Sequence, residues 1–189
     1  MVDENTNMGP GMGMPPVMPA KKFTLMSIIA LVGAVLLIVS FFLPMVSTSE
    51  SGMTASSSGL QLTKGEITAS VGGESMTMPL YDPDYEFDIL DPLAEPSVVK
   101  YPIFYAVIIM GVLALVFAIL PKPAMMPLFA GIMGIVGAVC AFIGYTMVTG
   151  DFPEADLGMG IGLILALVGG ILALVGGLMA FMKAKKAGA

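Results

Sequence analysis

The side chains that could do chemistry are carboxylates gathered in one short stretch. Asp82, Asp84, Glu86, Asp88, Asp91 and Glu95 all fall within YDPDYEFDILDPLAEPSVV. Counted from Asp84, the acids Asp84, Glu86, Asp88 and Glu95 stand at relative positions 1, 3, 5 and 12. At that spacing an EF-hand loop offers oxygen ligands to Ca²⁺. The glycine such a loop needs for its sharp turn is replaced by Ile89, and Pro92 interrupts the run. Both departures favour the competing reading, a solvated anionic surface. Met8, Met12, Met14 and Met18 could offer thioethers to Cu(I). Their setting, MVDENTNMGPGMGMPPVMPA, has no periodicity and little to bury, so residues 1–20 read as a disordered tail. Ser27, Ser40, Tyr145 and Thr146 lie inside apolar runs and could mark a polar path. Scattered hydroxyls of this kind satisfy themselves on helix carbonyls. Cys140 is the one cysteine, so it closes no internal disulfide and reads as a packing residue.

Other chemistry is thinly represented. The chain has no His, which removes the commonest general base and metal ligand. It offers no phosphate-cradling loop, no nucleophile beside a base, no zinc spacing and no basic patch for nucleic acid. The sequence therefore points to no catalytic residue, no cofactor and no nucleic-acid partner.

The elements that would carry these side chains are dominated by four runs without an Asp, Glu, His, Lys or Arg: Phe23–Val46, Tyr101–Leu120, Ala124–Val148 and Leu157–Met182. Crossing a bilayer core of about 30 Å takes roughly 20 apolar helical residues, and each run has that length. With 57% hydrophobic and 12% charged residues, a soluble enzyme is a poor fit. The reading is an all-α membrane protein: a four-transmembrane-helix bundle over residues 21–189, with a small extracytoplasmic β-sheet in the loop 47–100. The first run is too long for a cleaved secretory signal and reads as a signal anchor.

Lysines set the expected orientation. Lys21, Lys22, Lys122, Lys183, Lys185 and Lys186 fall on one side of such a bundle, against Asp3 and Glu4, which leaves +4. The other side has Lys64 and Lys100 against twelve acids, which leaves −10. The positive-inside rule puts both termini in the cytoplasm and the loops at 47–100 and 149–156 outside.

Within the long loop, Glu66–Leu80 alternates around Gly72-Gly73, which predicts a two-residue hairpin. Ile67 then faces Met78, Ala69 faces Met76, Thr68 faces Thr77 and Ser70 faces Ser75. A lone hairpin is marginal in water, so its apolar face is expected to lie on the helix ends or on a partner. Leu60 and Leu62 suggest a further strand, as do Val46–Glu50 and Met53–Ser56 around Ser51-Gly52. A short helix is expected near Asp84–Ala94.

Small residues mark the expected packing faces. The third run has Ala130, Gly134 and Ala138 four apart. The fourth contains ILALVGG twice, at Ile164–Gly170 and Ile171–Gly177. Four-residue spacing places Gly162, Ala166 and Gly170 on one stripe and Gly169, Ala173 and Gly177 on the next. Such stripes let helices approach closely in lipid, within one chain or between copies.

This arrangement resembles the claudin and peripheral-myelin-protein family: four spans, cytoplasmic ends and a first outer loop of hairpin followed by short helix. Ser58-Gly59-Leu60 is similar to the start of that family's Gly-Leu-Trp segment, while the family's Trp and loop cysteines have no counterpart. The resemblance implies architecture and no site residues. Residues and resemblance together lead to a non-enzymatic membrane structural or interaction protein, with the lipid bilayer and protein partners or self-association as its contacts. The alternatives are an accessory subunit of a transport, secretion or envelope complex and, given charge-free spans, less readily a channel or transporter.

Overall fold

The computed structural model describes residues 25–50, 52–81, 98–120 and 125–187. The tail 1–20, the acids Asp84, Glu86, Asp88 and Glu95, the helix expected near Asp84–Ala94 and the Pro121-Lys122-Pro123 link lie outside the described residues. Among the described residues five α-helices are formed: α1 (Leu25–Ser40), α2 (Gly59–Lys64), α3 (Phe104–Ile119), α4 (Met126–Asp151) and α5 (Ile161–Ala187). Five strands are β1 (Pro44–Glu50), β2 (Met53–Ser58), β3 (Glu66–Val71), β4 (Glu74–Pro79) and β5 (Gly158–Met159). The strands make one antiparallel sheet in the order β4-β3-β2-β1-β5.

This overturns the expected all-α bundle of four transmembrane spans. Among the described residues only α4 and α5 are long and apolar enough to cross a membrane, and the sheet is a major element. The first two apolar runs are longer than the helices made from them. The first run ends its helix at Ser40, because Pro44 lacks an N–H and disfavours helix just before it. The chain leaves by tight turns, with Phe41, Phe42 and Leu43 N–H donating to the carbonyls of Ile38, Val39 and Ser40. Met45 and Val46, apolar like the helix, enter a strand instead. Pro102 and Pro121 bracket the second run, and α3 has 16 residues, as does α1. Such a helix is about 24 Å long, short of the roughly 30 Å hydrocarbon core. The start of the fourth run becomes β5, and α5 begins after Gly160, whose N–H donates to the Met45 carbonyl at 2.9 Å.

Helix α5 lies antiparallel between α1 and α4, and α3 packs on α4 and α1. Gly162, Gly169 and Gly176 face α1, close to Ser40, Gly33 and Ala30 in turn. Gly170 and Gly177 face α4 at Gly134 and Gly131. Each GG pair of the ILALVGG repeat thus gives its first glycine to α1 and its second to α4. The operative spacing is seven, not the four used to draw the expected stripes, as in side-by-side helices that keep a constant seam. The interior is correspondingly small: Ala30, Ala34, Ala138, Ala141, Ala166 and Ala173 are buried. Val32, Val35, Val39, Ile164, Val168, Ile171 and Val175 point outward. Branched residues outside and alanine inside is the reverse of a water-soluble core.

A methyl at Gly170 would lie 2.5 Å from the Ala138 methyl and 2.8 Å from the Gly134 carbonyl oxygen, whereas at Gly150 it would meet nothing within 4 Å. Gly170→Leu should therefore cost at least about 1–3 kcal/mol. Gly150→Leu should stay within about 0.5 kcal/mol. Thermal unfolding in detergent measures both, and equal melting temperatures would contradict this packing.

Candidate functional site

The sheet is the candidate site, and its hairpin is built as the alternation predicts. Gly72 and Gly73 both take positive φ, 60° and 93°, and Ile67 pairs with Met78, Thr68 with Thr77 and Ala69 with Met76. Strand alternation then separates two faces. One has Met53 and Ala55 of β2, Ile67, Ala69 and Val71 of β3, and Met76 and Met78 of β4, with Glu74 opposite Val71 at its tip. The other has Thr54, Ser56, Thr68, Ser70, Ser75 and Thr77. Thr68 and Thr77 Oγ1 atoms approach to 3.2 Å across the strands.

Leu60 and Leu62 do not form the expected strand. Residues 59–64 are α2, capped by Ser58, whose Oγ accepts from Gln61 N–H (3.3 Å) while Ser58 N–H donates to Gln61 Oε1 (2.9 Å). The Ser-x-x-Gln spacing was the available signal for this capping box, and Gly65 at φ 73° closes the helix. Gln61 Nε2 also donates to Thr68 Oγ1 at 2.7 Å, which ties α2 to β3. Buried Ser57 donates to the Glu66 carbonyl at 2.6 Å and joins β2 to β3 near their base.

The base of the sheet is seated on the helices through the largest buried side chains. Phe41, Met45, Val46, Leu62, Tyr101, Phe104 and Leu163 form one cluster there. Tyr101 Oη donates to Asp151 Oδ2 at 2.8 Å, and Tyr145 Oη donates to the Leu157 carbonyl at 3.1 Å. Away from the base the cover stops. Met53, Val71, Met76 and Met78 are 56%, 52%, 68% and 39% exposed. The helix ends therefore do not cover the apolar face at Met76 and Met78, the first of the two covers expected for it.

Strand β4 is also the sheet edge. The Leu80 N–H donates to the Gly65 carbonyl at 2.7 Å, which fixes the phase of the β3–β4 ladder. In an antiparallel ladder the bonded pairs alternate, so Ser75, Thr77 and Pro79 turn their backbone groups away from β3. Pro79 has no N–H to leave unpaired, which suits an edge position.

The small-residue positions fall in contacts within the one chain. Gly134 and Gly170 lie in the α4–α5 contact with Ala173, Gly177 meets the Pro127 carbonyl and Gly131, and Gly162 meets the carbonyls of Ser40 and Leu43. Ala166 and Ala173 are fully buried. Hydroxyls within the apolar helices bond local carbonyls: Ser40 to Leu37 at 2.6 Å and Thr146 to Ile143 at 2.8 Å. Cys140 is a half-buried free thiol beside the junction cluster. Among the described residues no cluster of His, Cys, Asp and Glu could hold a metal ion.

Two substitutions separate the anchored base from the bare tip. Ser58→Ala removes the cap and should cost about 0.5–2 kcal/mol. Met76→Lys, at the exposed edge, should change stability by no more than about 0.5 kcal/mol. Chemical denaturation of the purified protein compares the two, and a larger loss at Met76 would mean that the tip is packed. No protein-family model matches this chain, and no curated protein does.

Proposed function

We propose that this protein is a non-enzymatic, multi-pass membrane component that holds a β-sheet clear of the bilayer for a protein partner. The observation that carries this reading is the bare apolar strip Met53, Val71, Met76 and Met78 on a sheet whose base is anchored. An exposed apolar patch beside polar residues is the usual mark of a contact surface. The open edge at Ser75 and Thr77 adds backbone donors and acceptors that an extended segment could pair with. Membrane location is supported by two helices long and apolar enough to cross and by the branched side chains that face outward from them.

In this reading α4 and α5 cross as an antiparallel pair. Lys183, Lys185 and Lys186 stay in the cytoplasm by the positive-inside rule. Because α1 runs antiparallel to α5, the start of α1 lies at the lysine end, so both termini are cytoplasmic and the sheet is outside. Sequence on the sheet side sums to −10, which favours a partner with a basic face and opposes pairing of two identical sheets.

Single cysteines in a Cys140→Ala background test the orientation. Ser75→Cys should react with an impermeant thiol reagent on intact cells and Lys185→Cys should not; the reverse pattern would invert the topology. Purification in mild detergent tests the contact. Met76→Lys with Met78→Lys should lower partner recovery by at least about tenfold, and more salt should lower it further for the wild type. Equal recovery with both chains, or recovery of this chain alone, removes the strip from the function.

A further inference from the structure

The end of the molecule opposite the sheet has a cleft of its own. It is a shallow, open groove of about 300 Å³ between the start of α1 and the end of α5, lined among the described residues by Met26, Met179, Met182, Lys183 and Lys186. The three methionines make an apolar floor. The two lysines, three apart on α5, stand on one helix face. Lys185, between them in sequence, is not part of the lining. Among the described residues no acid competes for these ammonium groups: α1 contains none, and the first turn of α4, which also reaches this end, has none.

We infer that this cleft binds the headgroup of an anionic phospholipid, with the upper part of an acyl chain lying over the methionines. The inference rests on the membrane reading above, which puts this end at the cytoplasmic headgroup layer. Three observations carry it. The site joins an apolar floor to a cationic rim, which matches a molecule with a phosphate attached to a hydrocarbon. Methionine's unbranched, pliable side chain suits a chain that has no fixed shape. The positive charge is local: the whole chain is −6, yet this end has three lysines within Lys183–Lys186. Basic pockets between helices on the cytoplasmic side are a recognised arrangement for acidic headgroups, and long lysine stems reach from apolar surface to the phosphate layer.

The test uses the full chain in nanodiscs of phosphatidylcholine, with and without phosphatidylglycerol, and reads retained lipid by native mass spectrometry. The wild type should retain phosphatidylglycerol in preference to phosphatidylcholine. Lys183→Gln and Lys186→Gln should each weaken retention about fivefold, the factor equivalent to about 1 kcal/mol per basic residue at an anionic surface. The pair together should lose on the order of twenty-fivefold. Lys185→Gln removes the same charge one position away and should leave retention unchanged. An equal loss with Lys185→Gln would replace the cleft with diffuse surface charge and overturn the inference. So would equal retention of both lipids, or full displacement by inorganic phosphate, which would make the site one for a free anion. A separate alkaline carbonate wash of native membranes reports on the membrane reading. Release of the chain there would defeat that reading, while the lysine comparison would still judge the cleft.

Discussion

Contact between backbones along α5 is the constraint on which the rest of the structure depends. Its glycines bring α1 and α4 so near that a single methyl would clash at Gly170 and Gly162. In an apolar surrounding, lipid is as good a solvent for leucine as another helix is. Close approach and the dispersion it collects are what hold such helices together. With small residues spent on the contact, branched ones are left outside. The same contact aligns the helix ends. Ser40, Phe104, Asp151 and Ile161 come together at one end, and the sheet is built on them.

The junction between helices and sheet is packed by a different rule. Its side chains are large, with Phe41, Met45, Leu62, Tyr101 and Phe104 in one cluster, and its polar groups are paired. Phe104 lies over Gly144, where a methyl would sit 2.7 Å from the ring, so even here a glycine makes room for a neighbour. Hydrogen bonds from Gly160 to Met45 and from Tyr101 to Asp151 cross the junction. A sheet so anchored is held to the helix ends at its base.

The two ends of the molecule differ in both charge and shape. One has an anionic sequence and the five-stranded sheet; the other has lysines beside a methionine-lined groove. Between them lie helices whose outward surface is aliphatic. That division suits a protein whose contacts are made at two surfaces separated by a layer that repels both water and charge.

Much of the local order was legible in the residues. The Gly72-Gly73 hairpin and its register follow from alternation and from the positive φ that a two-residue turn requires. The apolar character of α4 and α5 follows from composition alone. What the residues left open was where each apolar run stops being helix. Met45 and Val46 are as apolar as the residues before them, and they leave the helix because Pro44 breaks it and β2 offers them a ladder. Leu60 and Leu62 alternate like a strand, yet Ser58 and Gln61 cap them into α2. The pairing of β5 with β1 joins segments more than a hundred residues apart, as Val46 with Met159, and no local pattern encodes it. Likewise ILALVGG announced close packing, but only the fold could give one glycine of each pair to α1 and the other to α4. Periodicity and turn chemistry are set within a few residues of chain, so the sequence determines them. The extent of an element and the partner of a face depend on what arrives from elsewhere to meet it, so tertiary structure decides them.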